Sequence, residues 1–388
     1  MAAILHSGHT TNSTPGKASE RMKPRRPLSL APVFDDPDDF LRLVRTNGPF
    51  PSLQQRVMQS AVESAAITSE WVTDEMVADA RGGGTKSIAV SASYRSFWAR
   101  LGKPLRDDAA WLLDYDRFFD AARRLHADER VVVRPDEIYV NVQVPQPTRF
   151  GSAHVDIPKF RGMERREYPV WLLTTMRRSE LFEHWRVPVA TAVCWFYDGP
   201  GGTYTYWPDG PRSSPQQTKQ PFTNTAVVGE NDTMFHRGDG FASPDEQVPD
   251  GLTLDCVCEP IDDDARVWQV RDGDRVLGRY DAARVRIALS WSAEIYIDQA
   301  AVRVAEEHSD DLDLDTVVDT FVADLHERGH SRARPDEPLR DIDFIARLAR
   351  TYRVLPTLYP TIEETDAVAR VEAAIGQGSP SEPRRAEN

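Results

Sequence analysis

From Asp107 to Ala127 the apolar residues Trp111, Tyr115, Phe118, Ala122 and Leu125 return every three or four positions, the repeat that gathers side chains on one face of an α-helix. The stripe predicts a helix packed on something larger, within a mostly helical stretch from Asp36 to Ala127. After Asp128 the repeat shortens to two. Ile138, Val140, Val142 and Val144 alternate with Tyr139, Asn141 and Gln143, a strand with one apolar and one polar face. Further strand-like runs at 152–157, 188–198, 201–207, 223–236 and 284–297 are punctuated by Gly, Pro and Asp, and predict an antiparallel barrel or sandwich. Trp268 to Tyr280 holds an Asp-Gly pair between two short β-like stretches and reads as an inserted hairpin. Helical spacing returns in Leu314, Val317, Val318, Phe321 and Leu325, and again in Ile342, Ile345, Leu348 and Ala349.

These patterns divide the chain. Residues 1–34, rich in Ser, Thr, Pro and basic residues without apolar period, are expected to be a disordered tail. Residues 35–128 form a helical segment packing on the β structure, 129–297 the β core with an insertion at 240–281, 298–375 a C-terminal helical segment, and 376–388 a second loose tail. The fold class is α+β with a mainly β core flanked by helices at both ends.

The net charge of the 388-residue chain, −14 from 47 basic and 61 acidic residues, argues against nucleic acid as a partner, because phosphate-backbone affinity rests on clustered cations. No apolar run approaches the ~18 residues of a membrane span. Three cysteines without a CxxC pair give neither a disulfide framework nor a thiolate zinc site, and with no apolar leader at the N-terminus the expected location is the cytoplasm.

Candidate chemistry gathers at His154-Val155-Asp156 and at His236. On a strand, residues i and i+2 point the same way, so His154 and Asp156 project together, and His236 from a second strand completes three ligands on one face of an octahedron. Three positions stay open, which suits Fe(II) with a bidentate oxo-acid and O2. The bland alternative is a hydrogen-bonded surface pair and a β-edge histidine. In the run Asp281–Tyr296, Arg284, Arg286, Ala288 and Ser290 share one face of an expected strand. An inward arginine there can hold a carboxylate through its planar fork.

On these residues the chain resembles the Fe(II)/2-oxoglutarate-dependent oxygenases, whose double-stranded β-helix (a jelly-roll, cupin-like barrel) carries HxD…H and an arginine on its last strand. The resemblance spans roughly Tyr139 to Tyr296. It implies that His154, Asp156 and His236 are the iron ligands and catalytic centre, and that Arg286, or else Arg284, anchors 2-oxoglutarate near Ser290. Asn141, Gln143, Trp195 and Tyr206 are implied as pocket residues. The implied reaction couples decarboxylation of 2-oxoglutarate to succinate and CO2 with O2-dependent oxidation of a small-molecule substrate, such as a natural-product intermediate. Asp156 favours hydroxylation over halogenation, since related halogenases lack that carboxylate. The family's arginine follows the second histidine closely, whereas here 50 residues separate His236 from Arg286, a gap that the insertion explains. Whether the substrate is free or carrier-bound, and whether the chain forms a homo-oligomer, is open. Basic residues Lys159, Arg161, Arg165 and Arg166 follow the HxD and read mainly as a solvated loop or helix start, with contact to an anionic substrate as the other reading.

Two other readings come from other classes. One is a non-catalytic β-barrel that binds a small molecule. The other is a zinc peptidase, because His326-Glu327-Arg328-Gly329-His330 is a literal HExxH. Gly329 ends a helix more readily than it continues one, and both histidines fall off the apolar stripe, so a polar helix end is expected there. The glycine-rich run from Arg81 to Ser87 lacks the spacing of a phosphate loop.

Overall fold

The alternation after Asp128 becomes the long strand Val132–Gln143, which lies beside the final strand Arg286–Tyr296 at the centre of a seven-stranded antiparallel sheet. The computed structural model describes residues 22–53, 91–146, 153–242, 248–261, 266–331 and 333–356. Across the large sheet the order is Leu28–Leu30, Thr225–Gly229, Val189–Phe196, Arg286–Tyr296, Val132–Gln143, Ser93–Arg100 and Lys103–Pro104. Register pairs Arg286 with Gln143, Ala288 with Asn141, and Ser290 with Tyr139, while Trp195 and Val193 lie opposite Ala288 and Ser290 from the other side. Directly paired residues share a face. One face of the sheet is therefore polar along its centre. The other, with Ile138, Val140, Val142, Ile287, Leu289 and Trp291, is buried in the main core.

A three-stranded sheet, Gln216–Gln217, Tyr204–Tyr206 and His236–Gly238, packs over the polar face. Trp195, Val227 and Ala288 of the large sheet share one apolar cluster with Tyr204, Tyr206 and Met234. The result is a mainly β core of antiparallel sheets with helices around it. A four-stranded sheet, Phe50–Pro51, Val257–Pro260, Val267–Asp272 and Arg275–Asp281, contains the expected hairpin, with Gly273 at φ +57° in its turn. This insertion is not peripheral, because Trp268, Val270, Cys256 and Cys258 enter the main core.

Several expectations are corrected. The expected tail 1–34 is part of the folded structure from Met22 onward, and residues 1–21 lie outside the described residues. Met22 is fully buried and Phe34 is 3% exposed, and Leu28–Leu30 pairs with Ala226–Val228, so sheet hydrogen bonds and apolar burial offset the cost of ordering this stretch. Among the described residues of the segment 35–128, helix is found at Pro37–Thr46, at the short 3-10 turn Asp107–Leu112 and at Asp116–His126, and strands at Phe50–Pro51, Ser93–Arg100 and Lys103–Pro104 accompany them; residues 54–90 lie outside the described residues. Trp111 and Tyr115 precede the second helix and do not share its buried stripe of Phe118, Ala122 and Leu125; Trp111 is 41% exposed.

The run 223–236 is a strand over Thr225–Gly229 and again only from His236, and 201–207 only over Tyr204–Tyr206. The C-terminal helices Gln299–Glu306, Leu314–Glu327 and Ile342–Thr351 are joined by Val170–Ser179, which sequence reasoning missed. The last two of the C-terminal helices and Val170–Ser179 share a second core built on Leu172, Met176, Phe182, Phe321, Leu325 and Leu348. In the last helix Phe344 and Leu348 face that core while Ile342 and Ala349 are exposed, against the stripe expected from Ile342 and Ala349. The tail 376–388 and the run 81–87 lie outside the described residues. Among the described residues no helix is long and apolar enough to cross a membrane.

Candidate metal centre

His154 and His236 meet as an isolated antiparallel pair: each backbone N–H donates to the other's carbonyl, at 3.0 and 2.9 Å. That bridge, rather than a strand over 152–157, is what orients the HxD. Residues 155–158 have no strand hydrogen bonding, and the Asp156 N–H instead donates to the Asn231 carbonyl at 2.8 Å. The side chains still converge. The two imidazole centroids lie 4.6 Å apart, His236 Nε2 is 3.6 Å from Asp156 Oδ1, and one ligand atom from each of the three residues falls within 4.8 Å of the others.

His236 Nδ1 hydrogen-bonds the Met234 carbonyl at 2.9 Å. With Nδ1 carrying the proton, Nε2 offers its lone pair to a metal, the usual arrangement for a ligating histidine. Burial pushes the Asp156 carboxyl up, but His236, His154 and Arg95 outweigh it and hold its pKa at about 2, so it is a carboxylate at neutral pH. Burial conversely lowers the His236 pKa, and Asp156 together with the Met234 carbonyl outweighs burial and raises it. Two imidazoles and one carboxylate around open space are donors that suit a divalent transition ion. Cis donors on a small octahedral ion at about 2.1 Å sit roughly 3 Å apart, so modest closure around an ion suffices.

The centre opens on a cavity of about 760 Å³ whose wall includes Arg95, Tyr139, His154, Asp156, Ser290 and Glu294. Ser290 is thus on the wall of the cavity. Arg286 is deeper, 4% exposed and off the cavity wall. Its Nε donates to the Gly202 carbonyl at 2.9 Å and an amino group donates to the Gln143 side-chain oxygen. Gly202 has φ +66°, and a Cβ there would lie 3.0 Å from the Arg286 side chain, so glycine is what lets the backbone approach. Burial pulls the Arg286 pKa down to about 10, with Asp239 and Tyr197 opposing. No carboxylate among the described residues lies within 4.0 Å of its guanidinium.

Arg284 does not share the face of Arg286. It sits in the 3-10 turn Ala282–Arg284 before the strand begins and borders a separate cavity of about 440 Å³. The four expected pocket residues are also off the main cavity wall. Asn141 accepts from Arg95 Nε, Gln143 accepts from Arg286, Trp195 packs against Tyr204, and the Tyr206 hydroxyl donates to Gln216. Lys159 is bound by Asp136 and Glu294, and Arg161 by Asp310. Sequence reasoning missed Arg95 and Tyr139, and the polar side of the Tyr139–Gln143 alternation was the available signal for the latter.

The HExxH makes no metal group. The helix ends at Glu327, Gly329 takes φ +86°, and His326 and His330 are exposed. Among the described residues the only group of metal-binding geometry is His154, Asp156 and His236.

No family model matches the chain, and no curated protein matches its sequence. Solved structures do overlap it. An oxidoreductase of the 2OG-Fe(II) oxygenase family from Burkholderia pseudomallei is 11% identical with TM-score 0.29, covering 61% of this chain and 90% of its own. A Pseudomonas putida prolyl-4-hydroxylase is 11% identical with TM-score 0.30, covering 70% and 92%. The non-heme alpha ketoglutarate dependent carbocyclase SnoK from nogalamycin biosynthesis is 10% identical with TM-score 0.33, covering 73% and 84%. These overlaps are slight, and the reading of the site rests on its residues. With an HxD and a distant histidine joined at one bridge, and a buried arginine opening the last strand, the chain resembles the Fe(II)/2-oxoglutarate-dependent oxygenase superfamily.

Proposed function

We propose that the chain is an Fe(II)- and 2-oxoglutarate-dependent oxygenase built on a double-stranded β-helix, hydroxylating an unactivated C–H of a small molecule. The observation that carries the reading is a pairing: three convergent ligands, and, on the polar face of the same sheet core, a buried arginine with no carboxylate within 4.0 Å among the described residues. In this reading His154, Asp156 and His236 would hold Fe(II). When bound, the iron and 2-oxoglutarate supply the oxidising chemistry, with succinate and CO2 as products.

The chain's own share is orientation. The Met234 carbonyl fixes the His236 tautomer, and the paired backbone bonds fix the spacing of the histidines. Arg286 takes the far carboxylate of 2-oxoglutarate in the place that the Gln143 amide oxygen fills, where low local polarity strengthens a charged fork. Trp195, Tyr204 and Phe222 form an apolar cluster beside this site that keeps water from competing for the same donors. Three buried, unpaired cysteines fit a reducing compartment such as the cytoplasm.

Purified protein given Fe(II) and 2-oxoglutarate without O2 is expected to develop the weak visible band of a chelated 2-oxo acid. On admission of air it is expected to form succinate slowly even without substrate. A chain that binds neither iron nor 2-oxoglutarate refutes this reading and leaves a small-molecule binding barrel.

A further inference from the structure

A second arginine on the polar face of the large sheet has no assigned work. Arg95, on the strand Ser93–Arg100, lies opposite Asn141 and on the wall of the main cavity. Its guanidinium carbon sits 3.8 Å from the centroid of the Tyr139 ring, and its Nε donates to Asn141 Oδ1 at 2.8 Å. Those two contacts use one ring face and one N–H. The terminal amino groups donate to no protein acceptor among the described residues, and no carboxylate lies within 4.0 Å. Arg95 is nonetheless near enough to Asp156 to lower its pKa.

The neighbouring Arg100 repeats the pattern. Its guanidinium rests 4.3 Å from the Phe97 centroid, with Glu137 at 3.4 Å, and Phe97 meets Tyr139 edge-on at 5.7 Å. Two cations therefore lie on two touching aromatic rings along one wall of the cavity. An arginine held by stacking and by Nε has already lost most of its rotamer freedom, so little more is lost when an oxyanion takes the remaining fork.

We infer that Arg95, stacked on Tyr139 and pinned by Asn141 beside the metal-binding group, is the anchor for an oxyanion of the substrate, which is therefore an anionic small molecule. A carboxylate matches the planar fork in two parallel hydrogen bonds, and a phosphoryl group offers the same oxygen chemistry. The inference rests on the oxygenase reading for the identity of this ligand as the substrate. The two arginines then divide the work: Arg286 holds the cosubstrate, and Arg95 positions the molecule to be oxidised.

The test uses the full chain with Zn(II) and saturating 2-oxoglutarate, so that the metal centre and Arg286 are filled. Benzoate, phenyl phosphate and neutral benzamide are titrated and followed by saturation-transfer NMR of the probe. The wild type is expected to bind an anionic probe at least tenfold more tightly than benzamide. Arg95→Gln is expected to abolish that preference with an unchanged unfolding midpoint, Arg95→Lys to keep part of it, and Arg284→Gln to keep all of it. Tighter binding of phenyl phosphate names a phosphoryl group, and of benzoate a carboxylate.

A wild type that does not distinguish anionic from neutral probes, including one that binds none, overturns the inference. So does a folded Arg95→Gln that retains the preference. If Arg95→Gln does not fold, the Lys variant decides, since a merely structural cation would leave its anion preference at the wild-type value. The same titration without Zn(II) and 2-oxoglutarate keeps the two readings apart. An Arg95-dependent anion preference in a chain that binds neither metal nor 2-oxoglutarate removes the oxygenase reading and overturns the assignment of the anion as its substrate. Tight 2-oxoglutarate binding with no anion preference removes the Arg95 inference alone.

Discussion

Replacing Arg286 with Gln separates two quantities that commonly move together, stability and cosubstrate affinity. The guanidinium is 4% exposed, and burial, opposed in part by Asp239 and Tyr197, pulls its pKa down to about 10. A base whose folded pKa lies below its free value destabilises the fold while it stays charged. At ~1.4 kcal/mol per tenfold change in proton affinity, this burial costs on the order of 3 kcal/mol at neutral pH. Opposing it are the hydrogen bonds to the Gly202 carbonyl and to Gln143, each contributing ~1.5 kcal/mol as a bond from a charged donor.

The two sides nearly cancel, so Arg286→Gln is expected to change the unfolding free energy by no more than ~1 kcal/mol in either direction. Affinity for 2-oxoglutarate follows a different sum. Truncating one partner of a buried charge pair costs ~2–5 kcal/mol, which is roughly 30-fold or more in Kd. Anaerobic titration with Fe(II), read by the visible band of the chelated oxo acid, gives the affinity, and urea unfolding gives the stability. A folded Arg286→Gln whose Kd stays within threefold of wild type refutes Arg286 as the anchor. An unfolding change of several kcal/mol refutes the balance drawn between burial and hydrogen bonding.

Other outcomes follow from the same geometry. His154→Ala and Asp156→Ala are each expected to lose Fe(II) binding by at least tenfold with the fold intact, since His154 is exposed and Asp156 half-buried; equilibrium dialysis of the metal checks this. His326→Ala and His330→Ala, on an exposed helix end, are expected to leave metal content unchanged in that dialysis. His126 supplies a pH test away from the site: it is 8% exposed, and burial, then Arg25 and Arg186, against Asp232, hold its pKa down to about 4. Unfolding lets the ring protonate near pH 6.5, so stability present above that pH is lost as pH falls toward 4, about 2 kcal/mol between pH 7 and 5. Urea unfolding of wild type beside His126→Gln reads this, and equal slopes in the two proteins would show that another group is responsible.

What the sequence made legible was period and spacing. Tyr139, Asn141 and Gln143 alternate cleanly with Val140 and Val142 because the strand has one face in the apolar core and one toward the site. Hence the central strand, its polar face and the position of Arg286 on that face were readable. The Ser93–Arg100 strand was not. Its register shifts between Phe97 and Ala99, which breaks the two-residue repeat, and its outward positions carry Arg95 and Phe97 instead of an alternating polar set. Leu28–Leu30 was illegible because three residues carry no period, and its place depends on pairing with residues nearly 200 positions away. The HxD was found for a reason only half right: the side chains converge because His154 bridges His236, whereas Asp156 follows in irregular backbone tied to Asn231. A long-range bridge leaves no local signal.

Charge is where local pattern and global arrangement meet. The chain carries 61 acidic residues to 47 basic ones, so counter-ions for arginine are plentiful, and elsewhere they are used. Arg186 is bound by Asp232, Arg271 by Glu259 and Arg161 by Asp310. Against that surplus, Arg286 and Arg95 each lack a carboxylate within ion-pair distance among the described residues, though each is fixed by other contacts: a backbone carbonyl and an amide for one, a ring and an amide for the other. Leaving a positioned cation without its counter-charge is unfavourable for the fold alone. It becomes favourable when a ligand supplies the anion. Two such arginines on one sheet face, one buried and one on the cavity wall, fit two anions: the far carboxylate of a cosubstrate and the charged end of the molecule it helps to oxidise.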